Sequence, residues 1–318
     1  MRPRHLAALL LLGTIWGASF LFIKVIVEDF SPIILVSGRL GLAAAALWPF
    51  IRWRAIPVPT DRATWRGLAL LAVGNNLLPY MLIGWSEQHI TSGLAAILNA
   101  TMPLFTVLFA HWTLHDERLT PARLAGIVLG FAGVAILVGP DLADIARVST
   151  QAQLAVIAAS ACYAASAVYM RARLRHVEPT VSVAGQAGLG FVLALPLIPV
   201  LGAPLHAPHP QTVASLLALG LLGSAFASSL YFWLMAGAGA GRASMVTYLL
   251  PFTALVWGRI VLGEPISPNA LAGLLVIIGG VALVGGLVRF PRRAPLAAER
   301  PEDLAGSAAV PSRPDGVR

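Results

Sequence analysis

Residues 16–24 read WGASFLFIK and residues 163–171 read YAASAVYMR. An offset of 147 residues thus lays Trp16 on Tyr163, Ala18 on Ala165, Ser19 on Ser166 and Lys24 on Arg171. The same offset pairs Pro32 with Pro179, Gly38 with Gly185, Arg39 with Gln186, Gly41 with Gly188 and Pro49 with Pro196. Towards the end of each copy it pairs Glu117 with Glu264, Pro121 with Pro268 and Gly133-Val134-Ala135 with Gly280-Val281-Ala282. In between it slips by one residue, where Pro103 meets Pro251. Chance matching among Leu, Ala and Gly does not produce paired Pro, aromatic, basic and acidic positions at one spacing, so the chain is an internal duplication.

The medium of that duplication follows from composition. Of 318 residues 58% are hydrophobic and only 11% charged, against roughly 25% charged in soluble proteins, and the mean hydropathy is +0.80. No polar shell can cover such a chain, so its solvent is lipid. A formal charge of +8 does not indicate nucleic acid, because the 22 Lys and Arg sit in short clusters between apolar runs and read as topology signals. The single cysteine, Cys162, excludes an internal disulfide, a paired-cysteine redox site and a cysteine-based zinc site.

A bilayer core of about 30 Å takes roughly 20 helical residues to cross. Ten such runs lie at 6–27, 32–50, 67–86, 91–112, 121–139, 152–170, 180–201, 211–236, 243–262 and 268–288. They are continuous rather than alternating, which excludes barrel strands. The first run is too long for a signal-peptide core and stays in the chain. The fold expected is an all-α integral membrane protein of ten transmembrane helices. Its units are a first five-helix repeat at 6–139, a second at 152–288 and a disordered cytoplasmic tail at 289–318. Five is odd, so the second copy enters the membrane from the opposite side, giving a 5+5 inverted repeat of the kind in which secondary transporters hold a site near the midplane. Eighteen of the 22 basic residues fall in one set of connections and the tail, which directs both termini to the cytoplasm.

The blocks that recur are themselves informative: Trp16-Gly17-Ala18-Ser19-Phe20 with Lys24, Pro32 and Arg39, then Pro103 through Leu114, Glu117-Arg118-Leu119-Thr120 and Gly126, with Pro251, Leu262-Gly263-Glu264-Pro265-Ile266 and Gly273 in the second half. Over about residues 6–288 the chain resembles the drug/metabolite transporter superfamily, and within it the bacterial EamA-type permeases with two EamA domains. The resemblance implies a ten-helix transporter of small metabolites in the bacterial inner membrane, often an exporter. The sequence departs from the pattern at His115-Asp116 and at Arg259.

An ionisable side chain inside a span needs a partner or a wet cavity. Lys24 and Arg259 lie near the ends of their spans, within reach of snorkelling, whereas Arg39 is about two turns deep and points to a cavity role. Glu28, Asp29, Glu87 and Glu264 fall on the same side, and a charged vestibule is expected there, with Glu87 and Arg259 in gating or charge pairing. Trp16, Ser19, Asn75, Asn76, Tyr80, Asn99, Tyr163, Gln186, Trp233 and Tyr248, with Lys24 and Arg39, form the expected substrate path, because small-molecule sites combine aromatic walls with a few placed polar groups. Each of these polar side chains also serves helix packing equally well. Glu117 and Glu264 precede Pro121 and Pro268 and are expected to cap the fifth and tenth helices. Gly13, Gly17, Gly126, Gly130 and Gly133 read as close helix contacts.

The expected function is a secondary, non-ATP transporter of a zwitterionic or anionic small metabolite such as an amino acid, working by alternating access. The partners are that solute and the lipid bilayer, with no nucleic acid, metal or cofactor. An intramembrane enzyme is the competing class, but no deep Ser/His pair, Asp pair or Asp-rich motif stands inside a span. A receptor or assembly factor leaves the inverted duplication without a purpose. With all 14 acids outside the spans or at their edges, facilitated diffusion or exchange, or coupling through an edge carboxylate, is expected.

Overall fold

The computed structural model describes residues 2–114, 119–138, 146–203 and 205–286. The expectations for Glu117, for the end of the last span and for the tail at 289–318 lie outside these. Every regular element among the described residues is helical. Eight helices are long and apolar enough to cross a membrane: α1 (Pro3–Asp29), α2 (Pro32–Trp53), α3 (Arg62–Glu87), α4 (Ser92–Thr113), α5 (Pro121–Val138), α6 (Val148–Arg173), α7 (Pro179–Leu201) and α8 (Pro210–Ala238). Two shorter apolar helices follow, α9 (Val246–Val261) and α10 (Pro268–Val284). Proline stands at the start of α1, α2, α7, α8 and α10, where its missing N–H would have had no helical partner anyway. Asp61, Thr91, Glu178 and Ser267 each accept a backbone N–H at the start of α3, α4, α7 and α10.

The helices of the two halves interdigitate. α2 packs on α7 and α5 on α10, each helix against its own repeat counterpart, while α1 packs with α8 and α9 and, equivalently, α6 packs with α3 and α4. Two mixed bundles, α1/α8/α9 and α6/α3/α4, therefore face each other across the repeat axis. At the α5–α10 crossing the backbones touch: a Cβ on Gly126 would lie 2.7 Å from the Gly280 carbonyl oxygen, and one on Gly133 2.7 Å from the Ile277 nitrogen. Gly126 and Gly133 of the small residues read from sequence make this contact, while Gly13 and Gly17 of α1 pack against Leu249 and Thr253 of α9.

Two helices depart from regular winding at equivalent places. Ala72–Leu77 in α3 and Leu219–Phe226 in α8 are wound as π-helix, a wide turn common at functional sites. The π turn in α3 carries Asn75 and Asn76; the one in α8 carries Gly223 and Ser224. α2 packs on the π turn of α8 and α7 on that of α3.

Candidate functional site

A cavity of about 420 Å³ opens between the two bundles, within the roughly 300–1,000 Å³ of small-molecule sites. Nine of the twelve side chains expected on the substrate path line it: Trp16, Ser19, Arg39, Asn75, Asn76, Tyr80, Asn99, Tyr163 and Gln186. The inverted repeat organises its polar centre. Arg39 of α2 donates from Nε to Ser224 Oγ in the α8 π turn at 2.8 Å. Its counterpart Gln186 of α7 accepts from Asn75 Nδ2 at 3.0 Å and from Asn76 Nδ2 at 3.4 Å, both in the α3 π turn. Each long polar side chain thus meets the π turn of the opposite half. The Gln186 amide also donates to Ser182 Oγ at 3.0 Å. Gln186→Ala would strip Asn75 and Asn76 of their shared acceptor and is expected to lower stability by about 1–3 kcal/mol, read as a depressed thermal midpoint in detergent.

Arg39 is 7% exposed, and its guanidinium lies 3.9 Å from the centroid of the Tyr80 ring. Tyr80 in turn meets Tyr163 at 6.4 Å between ring centroids, edge to face. Trp16 packs 5.3 Å from Tyr231 and donates from Nε1 to the Gly223 carbonyl at 3.3 Å. No Asp or Glu is among the described residues of the lining, so the charge of Arg39 faces hydroxyls, amides and rings.

The other three path residues stand elsewhere. Lys24 donates from Nζ to the carbonyl oxygens of Glu87 and Ile90, the latter at 3.0 Å. Trp233 is outside the lining and meets the His5 ring at 5.2 Å. Tyr248 donates its hydroxyl to the Val281 carbonyl at 3.2 Å, joining α9 to α10. A Trp or Tyr inside a span satisfies its polar tip wherever a free carbonyl is nearest, and sequence does not say which.

Among the described residues no charged vestibule is formed: Asp29 and Glu264 are held by structural partners and Glu87 by none. Asp29 accepts the His209 backbone N–H at 2.8 Å and the Thr212 hydroxyl, fastening α8 to the end of α1. Glu264 accepts from Ser92 N at 2.9 Å, Ser92 Oγ at 2.8 Å and Gly93 N at 3.3 Å. It caps α4 of the other half, while Ser267 caps α10, which corrects the expectation for Glu264. Glu87 is buried with no donor on either carboxylate oxygen, and Arg259 is exposed near the end of α9; no ion pair joins them among the described residues. Orphan N–H groups at helix starts compete for carboxylates better than a distant cation does.

Ser224, Ser228, Tyr231, Phe232 and Thr247 also line the cavity and were not anticipated. The repeat held the signal for Ser224: an offset of 148, the one that pairs Pro103 with Pro251, carries Asn76 onto it.

Comparison with known proteins agrees with this architecture. A family model described as the EamA-like transporter family matches residues 4–139 and again 150–286. The chain is 29% identical over 309 residues to the "uncharacterized inner membrane transporter YedA" of Escherichia coli (strain K12), covering 92% of this chain and 96% of that protein. It is 27% identical over 271 residues to the "uncharacterized transporter YoaV" of Bacillus subtilis (strain 168), covering 84% and 91%. It is 31% identical over 283 residues to a "probable terminal-alkyne amino-acid exporter" of Streptantibioticus cattleyicolor, covering 87% and 92%. One crystal structure superimposes with a TM-score of 0.64 at 19% identity, over 91% of this chain and 99% of that one, a likeness of fold.

Proposed function

The chain belongs to the EamA-like transporter family, and from that premise we propose that it carries a small carboxylate-bearing solute of amino-acid type by alternating access, outward from the cell. The observation that supports this substrate class is Arg39: a buried arginine in the lining of a cavity, with no acid among the described lining residues to neutralise it. A solute carboxylate completes the planar fork of donors that Arg presents. Tyr163 and Trp16 supply faces on which an ammonium group rests without an acidic partner, and Met102, Pro103 and Leu250 receive an apolar side chain. The name of the Streptantibioticus cattleyicolor relative, an amino-acid exporter, supports the same class.

The eighteen basic residues on one side support an inner-membrane placement with both termini in the cytoplasm. No nucleotide-binding motif is present in the sequence, and the driving force is the solute gradient or exchange. Purified protein in liposomes, screened for uptake and efflux of a metabolite panel, is expected to move small neutral or monoanionic carboxylates and to leave cations. Uptake is expected to be unchanged by an imposed pH gradient; strict dependence on that gradient would overturn the exchange reading. Recovery of chemically altered solute would instead reveal an enzyme.

A further inference from the structure

The turn between α3 and α4 is held at both ends by opposite charges reaching across from the other bundle. Lys24 of α1 donates to the last carbonyls of α3 and the turn, those of Glu87 and Ile90. Glu264, between α9 and α10, takes the first N–H groups of α4, those of Ser92 and Gly93. A cation on helix C-terminal carbonyls and a carboxylate on helix N-terminal N–H groups are the favoured pairings of the helix dipole. Apolar packing backs this clasp: Ile23, Val27, Ile83 and Ile90 are all buried, and a Cβ on Gly93 would meet Leu255 of α9. The cavity lining reaches Ile23 and Ile83 and includes neither Lys24 nor Glu87.

The opposite face is built from the same parts and is arranged differently. The 147-residue offset carries Ile23 to Met170 and Lys24 to Arg171. Met170 lines the cavity, as do Val183, Phe232, Val246 and Thr247 on that side, and Arg171 is exposed where Lys24 is half-buried. α1 packs on the ends of α3 and α4 and α9 on α4, whereas the equivalent packing of α6 on the end of α8 is close to absent among the described residues. Two interfaces of equivalent sequence, one shut and one parted, are what one state of an inverted-repeat carrier presents.

We propose that Lys24 and Glu264 are gate-positioning residues that hold the cavity closed at their face, and that Arg171 takes the place of Lys24 on the end of α8, at Gly237 and Ala238, in the opposite state. The proposal rests on the transport reading above. The buried Glu87 carboxylate makes the closed face costly to hold, so the clasp contacts decide the balance between the two states.

The test uses the full-length protein with Cys162→Ser and one cysteine introduced at Ser228 in the cavity, labelled by a membrane-impermeant maleimide in sealed vesicles of each orientation. Lys24→Met and Glu264→Gln are expected to raise labelling from the Lys24 face at least about tenfold, the factor for loss of roughly 1.4 kcal/mol of closed-state preference. Lys24→Arg keeps the original pattern, and Arg171→Ala moves the ratio the other way. An unchanged ratio in monodisperse Lys24→Met and Glu264→Gln, or a shift of the same sign in Arg171→Ala, overturns the proposal. A second arm is independent of those variants. A Cβ at Gly84 lies 3.8 Å from Val27 Cγ1, so oxidation of a Val27→Cys, Gly84→Cys pair locks the face and is expected to stop flux until reduced; flux that survives cross-linking also overturns it. If the wild-type protein moves no solute and the labelling still shifts with opposite signs, the transport reading fails and the gate stands.

Discussion

Arg39→Ala is expected to reduce solute flux at least about tenfold while the protein still inserts and runs as a single species in detergent. Among the described residues the guanidinium makes one hydrogen bond, to Ser224 Oγ at 2.8 Å, and one ring contact, 3.9 Å from the Tyr80 centroid. A desolvated cation–π contact is worth about 2 kcal/mol, and a charge-assisted bond to a solute carboxylate about 1.5–3 kcal/mol. The first loss falls on packing and the second on the solute, so affinity suffers more than stability. Arg39→Lys keeps the charge but loses the planar fork and the stacking, and is expected to recover flux only in part. Ser224→Ala removes the positioning bond alone, and because its donor is a charged guanidinium the expected loss of transport is about tenfold or more, in line with about 1.5–3 kcal/mol for a hydrogen bond to a charged group. Flux in proteoliposomes at several solute concentrations separates these cases; wild-type flux in Arg39→Ala would remove it from the site.

Gly280→Leu is expected to prevent recovery of folded protein. A Cβ at that position would lie 2.6 Å from the Gly126 carbonyl oxygen and 2.7 Å from Gly130 Cα, and those backbone atoms are not able to swing aside as a side chain does. Overpacking costs typically about 1–3 kcal/mol where side chains adjust, and here the α5–α10 crossing itself must separate. Gly279→Ala is the matched control: its nearest neighbour would be Leu129 Cδ2 at 3.6 Å, an ordinary contact, and no loss is expected. Fluorescence-detected size exclusion after heating compares the two directly, and equal survival would show that the crossing yields.

Much of the candidate site was legible because two kinds of information converge on it. Arg39 stood out by depth, since a cation two turns inside a span cannot reach water at either surface. Asn75 and Asn76 stood out as amides in an apolar run, and the offset that joins Arg39 to Gln186 brought the second half in. Lys24, Trp233 and Tyr248 were legible as polar groups in lipid but not as to partner. The partners of Lys24 and Tyr248 are backbone carbonyls, which every residue carries and no sequence pattern marks, and that of Trp233 is the His5 ring. Ser224, Ser228 and Thr247 were missed for a related reason: a hydroxyl in a membrane helix usually returns to its own backbone, and only the α8 π turn aims Ser224 at Arg39.

The sequence by itself determined the medium, the helical class and the number of spans, because these depend on how long an apolar run is and on which transfer free energy each residue carries. It also determined the duplication, and with an odd number of spans per copy the inversion followed. Only the tertiary structure decided that the two halves interdigitate as α1/α8/α9 and α6/α3/α4, that Glu264 serves α4 rather than α10, and that, among the described residues, one face is packed more closely than its equivalent. These depend on which of several chemically equal partners lies nearest after folding, and on a balance between two nearly equivalent packings that a repeated sequence, by its own symmetry, leaves open.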